Sequence, residues 1–419
     1  MADLNRPYRM RALRQLPSVC TVMTAMALAC RGAPSGGVRG GAGWIGSVDS
    51  TADSVVVWTT NPYDSDWPPL NIVDSVHVLF DGDELISPSW VVVSPTGELV
   101  VADRRYLLVV DTVSRTARTI GRPGKGPGEY SMIHGVAAWP GDSLLVFDGY
   151  QLRLTWHTWD GAVIRTQRLS PTGWKRALGR RTELRVFHNT AVLAWRPTLV
   201  RTDGTPDTVA LEAYDLTADT GTVVAEIEDI TWVRAPTITG PRYPFGPRAL
   251  YTVGRAGRFA YAEGVEYCFT LRHLVAATVR RACRGWTPQP VGTANKPPAC
   301  LSDDELGDLG ATLRGLVGAQ EYGRTMHSIE EIRLDDEERL WVRVVDSTYT
   351  HHPFYRAQLP RLRPSHYTWE IFDRSGRLTA KVALPSRFTP LDFHQGRAYG
   401  TVERDDGTRA VASVRYSRR

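Results

Sequence analysis

Metal-binding and nucleophile signatures are missing from this chain of 419 residues. It has no C-x-x-C pair and no Cys/His cluster with zinc spacing, so no structural zinc module organises it. No G-x-S-x-G, S-x-x-K or H-E-x-x-H occurs, which removes the common sequence-legible hydrolase and metalloprotease machinery. The residue roles legible in the sequence therefore include no catalytic residue, no metal ligand and no cofactor site. Charge of one sign is also lacking. Lys and Arg number 50 against 45 Asp and Glu, and without residues 1–29 the balance narrows to 46 against 44. Nucleic-acid binding loses its electrostatic argument at such a balance.

Long apolar runs are scarce too. The principal one, Leu16 to Ala29, is too short to be a good membrane span and follows Arg6, Arg9, Arg11 and Arg14. A basic start, an apolar stretch and small residues make an export signal over 1–29, with Met10 as a possible alternative start. The run Ala27-Leu28-Ala29-Cys30 resembles a bacterial lipobox with Cys30 as the lipidated residue, although Ala27 stands where Leu is usual, so plain periplasmic secretion stays open. The expectation is an exported chain of the bacterial cell envelope, lipid-anchored or periplasmic, touching membrane only through the anchor. Cysteine is sparse. Beyond Cys20 and Cys30 only Cys268, Cys283 and Cys300 remain, and an oxidising compartment calls for one pair and one odd thiol. Cys268 and Cys283 flank a hairpin with a turn at Val275-Ala276, which favours that pair over Cys283 with Cys300.

What is present in quantity is strand material with turn punctuation. Val91 to Asp103 (VVVSPTGELVVAD) and Val136 to Asp148 (VAAWPGDSLLVFD) superpose without a gap at an offset of 45 residues. Each continues with two further strands, Tyr106 to Asp111 and Arg115 to Ile120 in the first, Leu152 to Thr158 and Ala162 to Leu169 in the second. A period of this size means blades or solenoid units. Weaker copies cover Thr182 to Ile227, Arg248 to Cys283, Ile329 to Pro385 and Leu391 to Tyr416, the last one strand short.

Gly121 to Tyr130, GRPGKGPGEY, joins the first two units. Four glycines and two prolines in ten residues forbid helix and laddered strand alike. No helix N-terminus follows, so it is not a phosphate cradle. The order G-x-x-G-x-G-P-G-E-aromatic after a strand resembles the blade-to-blade connection of NHL-like six-bladed β-propeller proteins, many of them bacterial envelope proteins. The resemblance implies an all-β, six-bladed β-propeller of four-stranded antiparallel blades over residues 51–419, behind a tether at 30–50. The N-terminal Ser54 to Thr60 is expected to supply the strand missing from the last blade and close the ring with the C-terminal strand. Val73 to Phe80 is the alternative closing strand. Ser302 to Gln320 reads as an inserted helix, with a capping Ser, acidic first turn and spaced leucines. Asp346 to His366 is a long loop inside the fifth unit.

Asp103 and Asp148 end equivalent strands and are expected to cap turns, Glu129 to pair or cap locally, and Asp335 to Glu338 to form a solvated hairpin tip. The adjacent His351 and His352 lack the convergent ligands of a zinc site. Strand alternation puts the turn between second and third strands on the same face as the connection into the next blade. That face collects Arg104, Arg105, Tyr106, Lys125, Tyr130, Tyr150 and Gln151, with His351, His352, Tyr355 and Arg356 from the long loop. Basic and aromatic groups of this kind bind carboxylates and stack on sugars. The expected role is non-catalytic binding by a monomer, with a glycan, peptide or envelope protein as partner. The alternative is a propeller hydrolase or lactonase with a metal in the central channel. Regucalcin-type lactonases share the propeller class, but their ligands find no residue-by-residue match here.

Overall fold

The computed structural model describes most of residues 71–417, the gaps being 73, 95, 140–141, 170–183, 196–206, 230–232, 235–238, 241–247, 277–278, 293–324 and 346–363, together with the backbone of Gly46–Ser50 and Ser54–Thr59. The leader with Cys30, the tether, Cys300, the helix expected at 302–320 and the long loop with His351, His352, Tyr355 and Arg356 lie outside the described residues. The described residues contain strands and no helix.

Six antiparallel sheets follow one another along the chain as a six-bladed propeller. The first blade is Pro88–Val93, Leu99–Asp103, Tyr106–Asp111 and Thr116–Ile120, and the second Ile133–Trp139, Ser143–Asp148, Arg153–Thr158 and Val163–Arg168. Blade three runs from Arg185–Phe187 through Thr190–Trp195 and Asp207–Asp215 to Thr220–Asp229. Blade four is Leu250–Val253, Arg258–Ala262, Cys268–His273 and Val279–Arg284, and blade five Ile329–Leu334, Leu340–Val344, His366–Phe372 and Leu378–Pro385. The sixth holds Phe388–His394, Arg397–Glu403 and Arg409–Ser417, with His77–Phe80 as its fourth strand.

Composition decides which strands lie inside. The second strands, LVVAD and SLLVFD, are buried throughout because each blade is sandwiched between two others, so both strand faces need apolar side chains. The fourth strands, TARTI and VIRTQR, are largely exposed and polar. Each seam between neighbouring blades holds its own apolar cluster. Val100, Leu107 and Ile120 of blade one meet Val136 and Leu144 of blade two, for instance. Leu79, Phe80 and Val411 of the sixth sheet pack on Val91, Val93 and Leu108 of the first. At about 25 cal/mol per Å² of apolar surface removed from water, these seams are the main favourable term holding the sheets together.

The N-terminal strands differ from expectation. Ser54–Thr59 pairs in parallel with Val279–Arg284 at the outer edge of blade four, and Gly46–Ser50 extends that edge. His77–Phe80 pairs antiparallel with Arg409–Ser417. The reason is reach. His77–Phe80 is followed within a few residues by Pro88–Val93, so a short link carries the chain from the outer edge of blade six to the inner strand of blade one. The β-branched run at 54–59 has the stronger strand propensity, but its 28-residue link to blade one costs more closure entropy than the seven residues after Phe80. Cys268 lies directly opposite Cys283 in the blade-four register, Cα to Cα 4.1 Å, and the two form a disulfide.

Candidate functional site

The decapeptide is a closed knot whose side chains serve the knot. Arg122–Pro123 pairs in parallel with Glu129–Tyr130. The Glu129 carboxylate accepts the backbone N–H groups of Gly126 (2.8 Å) and Lys125 (3.0 Å) and pairs with Arg122 at 2.7 Å. The Gly126 N–H first, then Arg122 and last the Lys125 N–H hold its carboxyl below the usual range. Tyr130 is fully buried. Its hydroxyl donates to His157 Nε2, His157 Nδ1 donates to the Gly161 carbonyl at 3.2 Å, and burial lowers the pKa of the ring against the pull of that carbonyl. A Cβ at Gly121, where φ is +76°, would lie 2.7 Å from the Tyr130 ring, so this position needs glycine on two counts.

Tyr130 therefore cannot face a ligand, contrary to the reading of the sequence. An aromatic in a glycine-rich loop looks exposed, but Gly121 leaves the hole its ring fills. Tyr106 is half-buried, and its hydroxyl donates to the Glu84 carbonyl at 2.6 Å, which makes it a tie for the link into blade one. Gln151 is also spent internally, donating to the Gly124 carbonyl at 2.9 Å and to Asp148 at 2.8 Å.

The remaining members come together. Asp103 accepts the N–H groups of Ile86 (2.7 Å) and Ser87 (2.8 Å), setting the chain before blade one against the turn that carries Arg104 and Arg105. Burial raises the Asp103 carboxyl against the opposing pull of those two N–H groups. The Arg104 carbonyl accepts the Ile133 N–H at 2.6 Å, which brings the start of blade two alongside. His134, next in sequence, is buried, its pKa lowered by that burial, and carries the Tyr150 ring edge-on at 5.3 Å. Asp148 repeats the Asp103 device, accepting Ser131 N–H at 2.6 Å and the N–H groups of Tyr150 and Gln151 at 3.0 Å. Both aspartates thus fasten the incoming connection, and Asp148 also caps its turn, as expected, whereas the Asp103 carboxylate bonds only the connection. Lys125 is held through its carbonyl by Arg153 at 2.7 Å, leaving its ammonium outside.

The result is a continuous patch with Arg104, Arg105 and Lys125 exposed, Tyr150 59% exposed and Ile86 67% exposed. Among the described residues none of the three cations has an ion-pair partner. Arg104 adopts φ +55°, a left-handed conformation that a non-glycine residue holds at a cost of about 1 kcal/mol. Ile86 escaped the sequence reading because an isolated isoleucine ahead of Ser-Pro looks like strand.

The middle of the ring is different. Arg185 of blade three donates to the Val253 carbonyl of blade four (3.2 Å) and the Leu391 carbonyl of blade six (3.4 Å). Arg255, in the blade-four turn, donates to the Val93 carbonyl of blade one at 3.2 Å and pairs with Asp392 of blade six at 2.5 Å. Blades three and six, like four and one, oppose each other in a six-membered ring, so these guanidiniums cross the centre. Glu331 pairs with Arg333 (2.6 Å) and Arg343 (3.1 Å). No group of three His, Cys, Asp or Glu able to hold a metal ion occurs among the described residues.

The acidic run at 335–338 is not a solvated tip. Asp335 and Glu338 are buried. Asp335 accepts Arg339 Nε at 2.6 Å and Trp341 Nε1 at 2.9 Å, Asp336 caps Gln395 N–H at 2.6 Å, and Glu338 accepts Ala256 N–H at 3.1 Å. First-to-second-strand turns crowd together toward the centre of the ring, which withdraws these carboxylates from solvent and gives them backbone N–H partners.

No protein-family model matches this chain, and no curated protein matches it. Among solved structures, a member of the DUF4221 family from Bacteroides vulgatus is similar at 10% identity and TM-score 0.48, covering 84% of this chain and 99% of that one. A protein described as exported, from Bacteroides fragilis, gives 11% identity and TM-score 0.46 over 87% of this chain and 100% of that one. Regucalcin, a calcium-binding protein from Agrobacterium tumefaciens, gives 9% and 0.39 over 84% of this chain and 96% of that one. Likenesses at these values carry no argument, and the fold rests on the six sheets themselves.

Proposed function

We propose that this chain is an exported, NHL-like binding propeller of the cell envelope that recognises an anionic glycan, peptide or partner protein through the Arg104–Tyr150 patch. The observation that supports the reading is the pairing of three exposed cations that form no ion pair among the described residues with two exposed apolar side chains, Ile86 and Tyr150, on one surface. Guanidinium forks suit carboxylates and sulfates, and an aromatic ring beside them suits a sugar face or an apolar side chain. The left-handed Arg104 fits the same reading, since a strained turn that glycine would relieve is retained where a side chain is needed. Binding is preferred to metal-assisted hydrolysis because the carboxylates nearest the centre, Glu331 and Asp392, are already matched to arginines, which repel a cation. Export and lipidation at Cys30 rest on the basic start and the Ala-Leu-Ala-Cys run. The pairing of His77–Phe80 with Arg409–Ser417 supports reading the two as the clasp of the ring.

A glycan and peptide array tests the patch, comparing wild type with an Arg104→Ala, Arg105→Ala, Tyr150→Ala variant and with Arg415→Ala as a distant control. Loss of a wild-type ligand in the triple variant alone is expected. A ligand bound equally by wild type and triple variant overturns the assignment.

A further inference from the structure

On the face opposite that patch, turns of blades four and five enclose a cleft of about 350 Å³. Four arginines line it, Arg258, Arg272, Arg280 and Arg374, with the apolar Leu271 and Ala276 on one wall. Backbone carbonyls aim three of them. Arg258 Nη1 donates to the Arg374 carbonyl at 2.7 Å, Arg272 Nη1 to the Val224 carbonyl of blade three at 2.6 Å, and Arg374 Nε to the Glu337 carbonyl at 3.0 Å. A guanidinium has five N–H donors, so each keeps most of its donors for another acceptor. Arg280 makes no ion pair among the described residues. Two carboxylates are near: Glu338, whose Oε2 lies 3.8 Å from Arg258 Nε and whose Oε1 already accepts Ala256 N–H, and Asp373, next to Arg374, which also acts on Arg258. Both ring nitrogens of His273 are spent on the backbone, Nε2 with the Ala256 carbonyl (2.8 Å) and Nδ1 with Val275 N–H (3.2 Å). Burial, and then the nearby Arg374 and Arg280, press the Arg258 guanidinium below its ordinary pKa, against the pull of Glu338.

Four cations around one cleft repel each other unless an anion joins them, and the two neighbouring carboxylates offset only part of their charge. We infer that this cleft binds a tetrahedral dianion, phosphate or sulfate, as the free ion or as the end group of a monoester. A carboxylate is satisfied by one bidentate fork, whereas three oxygens spread in space match guanidiniums arriving from several directions. The cleft is larger than one such ion and sits at the lower end of small-molecule sites, so an ester's apolar part fits against Leu271 and Ala276.

The test is calorimetric titration at low salt with inorganic phosphate, inorganic sulfate, phenyl phosphate and benzoate. It compares wild type, Arg280→Ala, Ala276→Glu and the blade-six Arg415→Ala variant, each first checked for a wild-type thermal transition. Arg280 and Ala276 are chosen because neither side chain makes a hydrogen bond among the described residues. Expected is saturable phosphate binding by wild type with benzoate at least ~10-fold weaker, weakening of at least ~10-fold in Arg280→Ala and Ala276→Glu, and no change in Arg415→Ala. Tighter phenyl phosphate than inorganic phosphate identifies a monoester, equal binding identifies the free ion, and preference for sulfate identifies a sulfated ligand. Benzoate equal to phosphate, phosphate binding unchanged in both cleft variants, or no saturation by about 10 mM in wild type overturns the assignment.

Discussion

The Arg255 guanidinium in blade four meets the Asp392 carboxylate in blade six at 2.5 Å, and the same carboxylate accepts the Val93 N–H of blade one at 3.0 Å. One ion pair thus links three blades. Arg255→Ala leaves a buried carboxylate facing the ring centre and should cost about 2–3 kcal/mol in urea unfolding. Asp392→Asn added to that variant should recover part of the loss by removing the uncompensated charge. Midpoint and slope of the denaturation curves read both effects.

Tyr130→Phe should lower stability by about 1–2 kcal/mol with an unchanged far-ultraviolet spectrum, because it leaves the buried His157 Nε2 without its donor. Gly121→Ala should cost more than Tyr130→Phe, since it combines a positive φ with a clash against the Tyr130 ring. Equal losses in the two would mean that the knot relaxes freely.

Glu212 is buried, and burial raises its carboxyl to about 7 from its ordinary value of about 4.5. A folded-state pKa above the unfolded one contributes stability fully present below about 4.5 and lost as pH rises through about 7. Relative to wild type, Glu212→Gln should therefore gain ~2 kcal/mol between about pH 5 and pH 8.5, measured by denaturant unfolding at both values. A constant difference between the two proteins would exclude the linkage.

Reduction of the Cys268–Cys283 bond should destabilise blade four by about 2–3 kcal/mol through the 15-residue separation it closes. A matched Cys268→Ser, Cys283→Ser variant should melt at the temperature of the reduced wild type.

Much of the architecture was legible because sandwiched blades impose a repeated apolar second strand, and LVVAD and SLLVFD state that repeat openly. Pairing partners were less legible. SVVVWT has far better strand propensity than HVLF, yet link length, a property of the folded ring, gives the sixth blade to His77–Phe80. Among site residues, Arg104, Arg105, Lys125 and Tyr150 could be placed by strand alternation alone. Tyr130 and the carboxylates at 335–338 could not, since burial there comes from a neighbouring glycine and from converging turns. Arg258, Arg272, Arg280 and Arg374 are scattered over two repeats, so their meeting becomes visible only once blades four and five stand side by side.

Pairing of His77–Phe80 with Arg409–Ser417 imposes an order of events on the growing chain. Asp81, just past the earlier strand, pairs with Arg404, 323 residues later, and blade six lacks its inner strands until the last of them has been made. An early strand edge must wait unpaired through synthesis of the other five blades, in the state most open to capture by another chain.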